Sequence, residues 1–350
     1  TPIAHGEVFV TEDGGECDMD MGNYERFLNQ NIPKSHNITT AQIYSSVIDA
    51  ERKGEYLGAC VQIIPHVTDE IKNRIRVIAE EESLDILIVE CGGTVGDIES
   101  LPFLEALRQI RVEEGSENVI FVHVTLAPSL DVVGEQKTKP TQHSVQELRR
   151  IGIQPDVLCV RCSSTLQEKT RKKISMFTNV TEKDVLSCHD VKSIFMVPQI
   201  LFEQGLVDLI FKKFAKVGYV NASENWDEWN RIVNSMESDG DTINIAMVGK
   251  YVTLADSYVS VNHALKHAGA SINRPVKIDW IDSETLNGNI ETLRKYNGIL
   301  VPGGFGTRGS EGIIETANFA RENNIPYLGI CFGFQLAAVS FARNVCYLPD

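Results

Sequence analysis

Short continuous apolar runs alternate with amphipathic stretches along almost the whole chain. The runs Glu7–Val10, Cys60–Ile64, Asp85–Glu90, Val119–Val124, Val157–Arg161 and Ile194–Val197 predict strands. Helical periodicity between them predicts helices over Gly22–Leu28, Thr39–Lys53, Asp69–Glu82, Leu101–Glu114, Thr141–Ile151, Leu166–Phe177 and Ile200–Phe214. Strands that are apolar on both faces and separated by helices indicate a parallel sheet covered on both sides. From about Lys216 to Thr242 the alternation fails. Trp226 and Trp229 can pin a short helix there, and the acidic, glycine-containing end reads as a linker. A second alternating unit begins at Ile243. It runs strand INIAMVG, helix Ser257–Ala268, strand VKIDWI, helix Ile290–Lys295, strand GILV, helix Glu311–Glu322 and a last strand from Ile325 to Ile330. The expected class is α/β, with two doubly wound, mostly parallel sheets in segments 1–215 and 243–350 and a linker over 216–242.

Composition narrows the function classes. The 350 residues are 43% hydrophobic and 23% charged, an ordinary globular balance with room for two or three domains. No apolar run approaches the roughly 20 residues that span a membrane, so no membrane partner is expected. The chain opens at Thr1-Pro2 without a signal peptide and stops at Asp350 soon after a helix, which reads as a piece cut at both ends. A net charge of −15 argues against a general nucleic-acid binder, so any phosphate site must be a local basic cluster. The eight cysteines form no framework, which favours a reducing, cytoplasmic setting. Cys159-Val-Arg-Cys162 lacks a second pair, and His263 and His267 lack a third ligand, so neither reads as a metal site.

Candidate chemistry sits at strand ends. In I325-P-Y-L-G-I-C-F-G-F-Q335 an apolar strand stops at Cys331, between Gly329 and Gly333, and a helix follows at once. This is a nucleophile elbow with cysteine in place of serine, at a helix N-terminus that favours thiolate. Val301-Pro-Gly-Gly-Phe-Gly306 follows another strand, and its bare N–H groups, with that of Phe332, can receive an oxyanion. Glu90 ends the run D-I-L-I-V-E and precedes a loop bared by Gly92, Gly93 and Gly96, with Asp97 and Glu99 beside it. The loop suits Mg²⁺ or the amino and hydroxyl groups of a nucleotide, or is simply a tight turn with a helix cap. Pro140 should hold Lys139 extended, so that Lys137 and Lys139 point the same way roughly 6–7 Å apart, either for a polyphosphate or into solvent. Gln142 supplies donors and an acceptor nearby. Of Lys169, Arg171, Lys172 and Lys173, one or two can turn inward. Asp18 and Asp20 share a strand face, as a metal pair or as solvated carboxylates.

Gly303-Gly-Phe-Gly306 with Gly329-Ile-Cys-Phe-Gly-Phe-Gln335 resembles a class I glutamine amidotransferase domain. HGEVFVTEDGGE, GNYERF, ECGGTVGDIESLPF, GEQKTKPTQHSV, VGKY and PGGFGTRGSEG together resemble the CTP synthase family, from about His5 to Val345. The resemblance implies a P-loop-like synthetase domain joined to an amidotransferase domain. It implies ATP, UTP and glutamine as substrates, Mg²⁺, activation by GTP, inhibition by CTP, a cytoplasmic homotetramer and filaments. By matching motifs, Asp20 and Glu90 correspond to Mg²⁺ ligands, and Asp20, His189, Asp190 and Val191 to ATP contacts. Asp97, Ile98, Glu99, the run Lys137, Thr138, Lys139, Pro140, Thr141, Gln142, and Lys173 correspond to the UTP and CTP site. Cys331 corresponds to the nucleophile, and Gly304, Phe332, Gly333, Phe334 and Gln335 to the glutamine-binding segment. Arg308, Gly309 and Glu311 correspond to a GTP-response loop.

The elbow reads C-F-G-F-Q where C-L-G-M-Q is the family's most frequent form, so Phe334 adds bulk beside the glutamine pocket. The resemblance places the family's phosphate-binding glycine loop before Thr1 and the histidine and acidic partners of the nucleophile beyond Asp350. The expectation is therefore that this stretch by itself makes no CTP and hydrolyses glutamine poorly. Two rival readings are another ATP-dependent amidoligase, of the cobyric acid synthase type, and a non-catalytic scaffold that binds CTP.

Overall fold

The computed structural model describes residues 6–130, 134–214, 223–238, 240–251, 255–286 and 288–348. The expected linker residues 216–222 and 239 lie outside them. In chain order the hairpin β1 (Val8–Val10) and β2 (Glu16–Asp18) leads into α1 (Met19–Leu28), α2 (Thr40–Arg52), α3 (Thr68–Glu81) and α4 (Leu101–Glu114). Then come β3 (Val122–Leu126), the short β4 (Ser129–Leu130) and β5 (Glu135–Gln136), α5 (Lys139–Ile151), β6 (Val157–Cys162), α6 (Glu168–Thr178) and β7 (Val185–His189). Helices α7 (Val197–Glu203), α8 (Leu206–Lys213) and α9 (Ser223–Glu237) precede β8 (Ile243–Gly249), α10 (Val259–Ser271) and β9 (Val276–Asp282). The chain continues through β10 (Gly298–Val301), α11 (Ser310–Glu322), β11 (Tyr327–Gly329) and α12 (Phe332–Asn344). Internal contacts divide it into two units. One gathers the described parts of Thr1–Lys34 and Asn225–Asp350, and the other is Ser35–Glu224.

In the Ser35–Glu224 unit, β3, β6 and β7 form a parallel sheet with β6 central. The run VLCVRC is buried on both faces except at Arg161, which is what a central parallel strand requires. Leu158, Val160 and Val185 pack with Val145 of α5 and Ile174 of α6. A separate cluster of Ile43, Val47, Val67, Ile71 and Ala106 joins α2, α3 and α4. Thr39 starts α2 with a reciprocal capping box to Gln42.

Three predicted strands are absent here. The run 85–90 makes no ladder, and Ile86, Ile88 and Val89 are exposed at 57%, 82% and 45%. An apolar run becomes a strand only where a neighbour pairs with it, and here none does among the described residues. Cys60–Ile64 ends in a turn at Pro65, whose carbonyl accepts from the Thr68 hydroxyl at 2.9 Å. Ile194–Val197 is a helical turn, because Pro198 sits at the start of α7. The single helix predicted over Ile200–Phe214 is instead α7 and α8, bent by 61° at their junction. Among the described residues no single helix is long and apolar enough to cross a membrane.

In the other unit, four parallel strands run β11-β10-β8-β9. Its core joins Ala246, Val248, Ile299 and Val301 to Leu293, Ile313 and Ile314. The sheets thus bear out the expected α/β class. The segment Ile290–Lys295 is a 3₁₀ stretch rather than an α-helix. Residues 6–34 bond within this unit. The Glu7 N–H donates to Asp256 O at 2.8 Å, and the Glu7 carboxylate accepts from the Ser260 N–H at 3.1 Å and hydroxyl at 2.6 Å. Trp229 of α9 lies 6.0 Å from the Phe27 ring.

Candidate active site

Cys331 occupies the N-cap of α12 with φ 50° and ψ −104°, a left-handed backbone that non-glycine residues seldom adopt. Its side chain is exposed. Local packing explains the elbow. A Cβ at Gly329 would stand 2.6 Å from Gly333 C and Phe334 N. A Cβ at Gly333 would press into the Val301 carbonyl oxygen and lie 2.8 Å from Val301 Cγ1. The glycines therefore let α12 start directly against β10 and β11, and the turn alone does not account for them. The Ile330 N–H donates to Val301 O at 2.9 Å, and the Tyr327 hydroxyl to Gly333 O at 3.0 Å. Burial pushes the Tyr327 phenol up to about 12, so it stays a donor.

The glycine turn after β10 stands beside this elbow. A Cβ at Gly303 would be 3.8 Å from Cys331 Cβ, and one at Gly304 would be 3.6 Å from the Phe332 ring. Lys250, at the end of β8, reaches under the turn. Its Nζ donates to Phe305 O at 2.9 Å and Gly306 O at 2.5 Å, and sits 4.3 Å from the Phe332 ring centroid. Burial, then the nearby Arg308 charge, holds its ammonium below the usual lysine range. Phe305 of the glycine turn and Phe334 of α12 are exposed at 75% and 66%. Gln335 is exposed on the first turn of α12, its N–H donating to Cys331 O at 3.0 Å.

Arg308 ties the next loop down. Its guanidinium donates to the Lys250 carbonyl at 2.9 Å and pairs with Glu284 at 3.1 Å. Gly309 has φ 66°, and a Cβ there would run into the Ser283 hydroxyl. Glu311 pairs with Arg343 of α12 at 3.1 Å.

In the Ser35–Glu224 unit, the lysine segment departs from its expected geometry. Lys139 opens α5, with Pro140 in the first turn, so Lys137 and Lys139 do not lie along one extended chain. Thr138, Thr141 and Gln142 are buried. Gln142 Nε2 donates to Thr138 Oγ1 at 2.9 Å, and Thr141 Oγ1 to Leu126 O at 2.9 Å, so these groups build the junction of β3 and α5. Lys137 Nζ pairs with Glu135 at 2.7 Å, and Lys169 and Lys173 of α6 add to the pull that keeps the Glu135 carboxyl below its usual range. Gln136 makes this possible. Its amide donates to Ser164 O at 3.2 Å and Thr165 O at 3.1 Å and accepts from Gln167 N at 2.9 Å, joining the lysine loop to the start of α6. Lys137, Lys169 and Lys173 are thus the ammonium groups whose charge reaches Glu135, and Lys169 was indistinct among its charged neighbours in the sequence.

Glu90 is exposed at the head of the glycine loop rather than at the end of a paired strand. A Cβ on Gly92 would be 3.9 Å from both its carboxylate oxygens. Asp97 accepts from the Thr94 N–H at 3.1 Å and folds the loop back, while Ile98 and Glu99 stay exposed in the turn before α4. Asp18 and Asp20 share no strand face. Asp18 caps α1 and accepts from the Asp20 N–H at 3.4 Å, and Asp20 is in the first helical turn. Asp20 and Glu90 belong to different units. His189, at the end of β7, lies 3.2 Å from the Ser187 hydroxyl. Asp190 pairs with Arg161 at 2.6 Å, and Val191 follows it out of the sheet. Among the described residues no three His, Cys, Asp or Glu side chains cluster as a metal site.

The family model "CTP synthase N-terminus" matches residues 1–216, and "Glutamine amidotransferase class-I" matches 253–349. The chain is 56% identical to a CTP synthase of Pyrococcus abyssi over 345 residues, covering 98% of this chain and 63% of that protein. It is 50% identical to a CTP synthase of Methanopyrus kandleri, covering 100% of this chain and 65% of that protein. Among solved structures it is similar to the glutaminase domain of Trypanosoma brucei CTPS with bound acivicin, at 39% identity over 29% of this chain and 41% of that one, with a TM-score of 0.28. The chain spans less than two thirds of the length of these curated relatives. With a glycine-flanked cysteine elbow in one unit, a lysine-lined loop in the other and these matches across both, this chain belongs to the CTP synthase family.

Proposed function

We propose that the protein acts in the ATP-dependent amination of UTP to CTP, with nitrogen taken from glutamine. Cys331 Sγ attacks the glutamine amide carbon. N–H groups at the elbow and the glycine turn 303–306 receive the developing oxyanion, ammonia leaves, and water cleaves the thioester to glutamate. In the other half ATP phosphorylates O4 of UTP, ammonia displaces the phosphate at C4, and CTP, ADP and phosphate are released. Lys137, Lys169 and Lys173 hold the triphosphate, while Thr138, Thr141 and Gln142 shape the loop that presents Lys137. Lys139 and the Asp97–Glu99 turn complete the pyrimidine-nucleotide site, and His189 to Val191 face ATP. Asp20 and Glu90 each offer carboxylate oxygens, the donor type that Mg²⁺ prefers, and each is proposed as a ligand on its own unit for Mg²⁺ bound with the nucleotides.

On this reading 1–215 is the synthetase segment, 216–242 the linker and 243–350 the amidotransferase segment. GTP activation through Arg308, Gly309 and Glu311, CTP inhibition, a homotetramer with filaments and a cytoplasmic location belong to the same proposal. The observation that carries it is the left-handed Cys331 backbone, held by glycines that nothing larger can replace. Supplying the full-length protein carrying this stretch with UTP, ATP, Mg²⁺ and glutamine and measuring CTP by chromatography tests it. CTP bound without turnover makes the protein a scaffold, and amidation of a corrinoid instead of UTP makes it a different amidoligase.

A further inference from the structure

Lys250 has a role that the elbow motif leaves unassigned. It is 7% exposed, and among the described residues no carboxylate lies within 4.0 Å of its Nζ. A buried ammonium without an ion partner is costly unless fixed dipoles replace water. Here the dipoles are two carbonyls of the glycine turn, Phe305 O and Gly306 O, and the face of the Phe332 ring. These groups come from the two segments whose N–H groups serve the oxyanion. When the Phe305 and Gly306 carbonyls are held toward Nζ, the planarity of the peptide fixes where the Gly306 and Thr307 N–H groups point and so anchors the end of the turn. The grip on Phe332 fixes the ring of the residue that follows the nucleophile. Arg308 anchors Lys250 in turn by donating to its backbone carbonyl.

We infer that Lys250 is a positioning residue for amide attack by Cys331, clamping the glycine turn 303–306 to Phe332 so that the oxyanion donors converge. The inference rests on the proposed glutaminase chemistry, and its test separates the two. Cys331 is labelled in parallel with a glutamine-mimicking diazoketone, whose carbonyl uses the oxyanion donors, and with iodoacetamide, which alkylates sulfur without them. The readout is the ratio of the two rates. In the unaltered protein the diazoketone should react faster. In K250M the ratio should fall by about 10²-fold, the scale of misplacing reacting groups by about an ångström, with iodoacetamide reactivity changed little. K250Q keeps one donor and should lie between. If K250M is not recovered folded, K250Q is judged by the same ratio. An unchanged ratio in the folded variant overturns the role of Lys250. No preference for the diazoketone in the unaltered protein overturns the glutaminase reading itself.

Discussion

Gly333 of α12 lies so close to Val301 of β10 that a Cβ would overlap the Val301 carbonyl oxygen. That carbonyl also accepts from the Ile330 N–H at 2.9 Å, so it cannot swing aside without loosening the strand that delivers Cys331. G333A should therefore destabilise the chain by about 1–3 kcal/mol through overpacking. It should slow diazoketone labelling of Cys331 by about 10²-fold. Urea melts and mass spectrometry of the labelled protein check both.

Asp156 should be a stability residue without a catalytic part. Burial pushes its carboxyl up, but Arg111 at 2.6 Å, the Phe121 N–H at 2.8 Å and Lys213 hold it below the usual range. Arg111 also lies 5.2 Å from the Phe121 ring centroid. D156A should leave the Arg111 charge poorly matched and cost about 3–5 kcal/mol, as when one partner of a buried pair is removed. Denaturant unfolding measures it.

His123 should make stability fall in mild acid. It lies 2.8 Å from the Ser144 hydroxyl, and burial lowers its pKa from 6.5 to about 4. Above pH 6.5 it is neutral whether the chain is folded or not, and it contributes no pH dependence. As pH drops toward 4 the unfolded chain takes up a proton that the folded chain refuses, and stability is lost, by up to about 3 kcal/mol. His263 is lowered to about 4 as well, by burial first and then Arg26, so the difference curve between the unaltered protein and H123Q isolates His123.

The lysine cluster should bind as a unit. K169A and K173A should each weaken CTP or UTP binding by about tenfold and flatten its salt dependence. K172A, whose ammonium is engaged with Glu168 at 2.5 Å, should change little. Titration calorimetry at two ionic strengths distinguishes them.

The legible parts of this chain are those whose burial comes from their own residues. INIAMVG, apolar but for Asn244, and GILV, apolar throughout, became central strands, and the G-x-C-x-G spacing marked the elbow. The illegible parts depend on neighbours. D-I-L-I-V-E has the same composition as a buried strand, yet without a pairing partner it forms none. Val185–His189 ends in Ser-Cys-His, too polar to read as a strand, and is placed by its ladder to β6. Pro140 read as a guard of extended chain but serves as a helix start, because proline's missing N–H is tolerated in both. Lys250 follows an apolar run, where a lysine looks like a solvated strand end. Only the carbonyls that the glycine turn brings to it give it a place.

The most direct measurement follows the nitrogen itself. The full-length protein carrying this stretch is given UTP, ATP, Mg²⁺ and glutamine labelled with ¹⁵N at the amide, and CTP is examined by mass spectrometry. The account predicts ¹⁵N at the cytosine 4-amino group, its loss in C331A, and its return in C331A when ¹⁵N-ammonium replaces glutamine. CTP labelled from glutamine at an undiminished rate in C331A would contradict it.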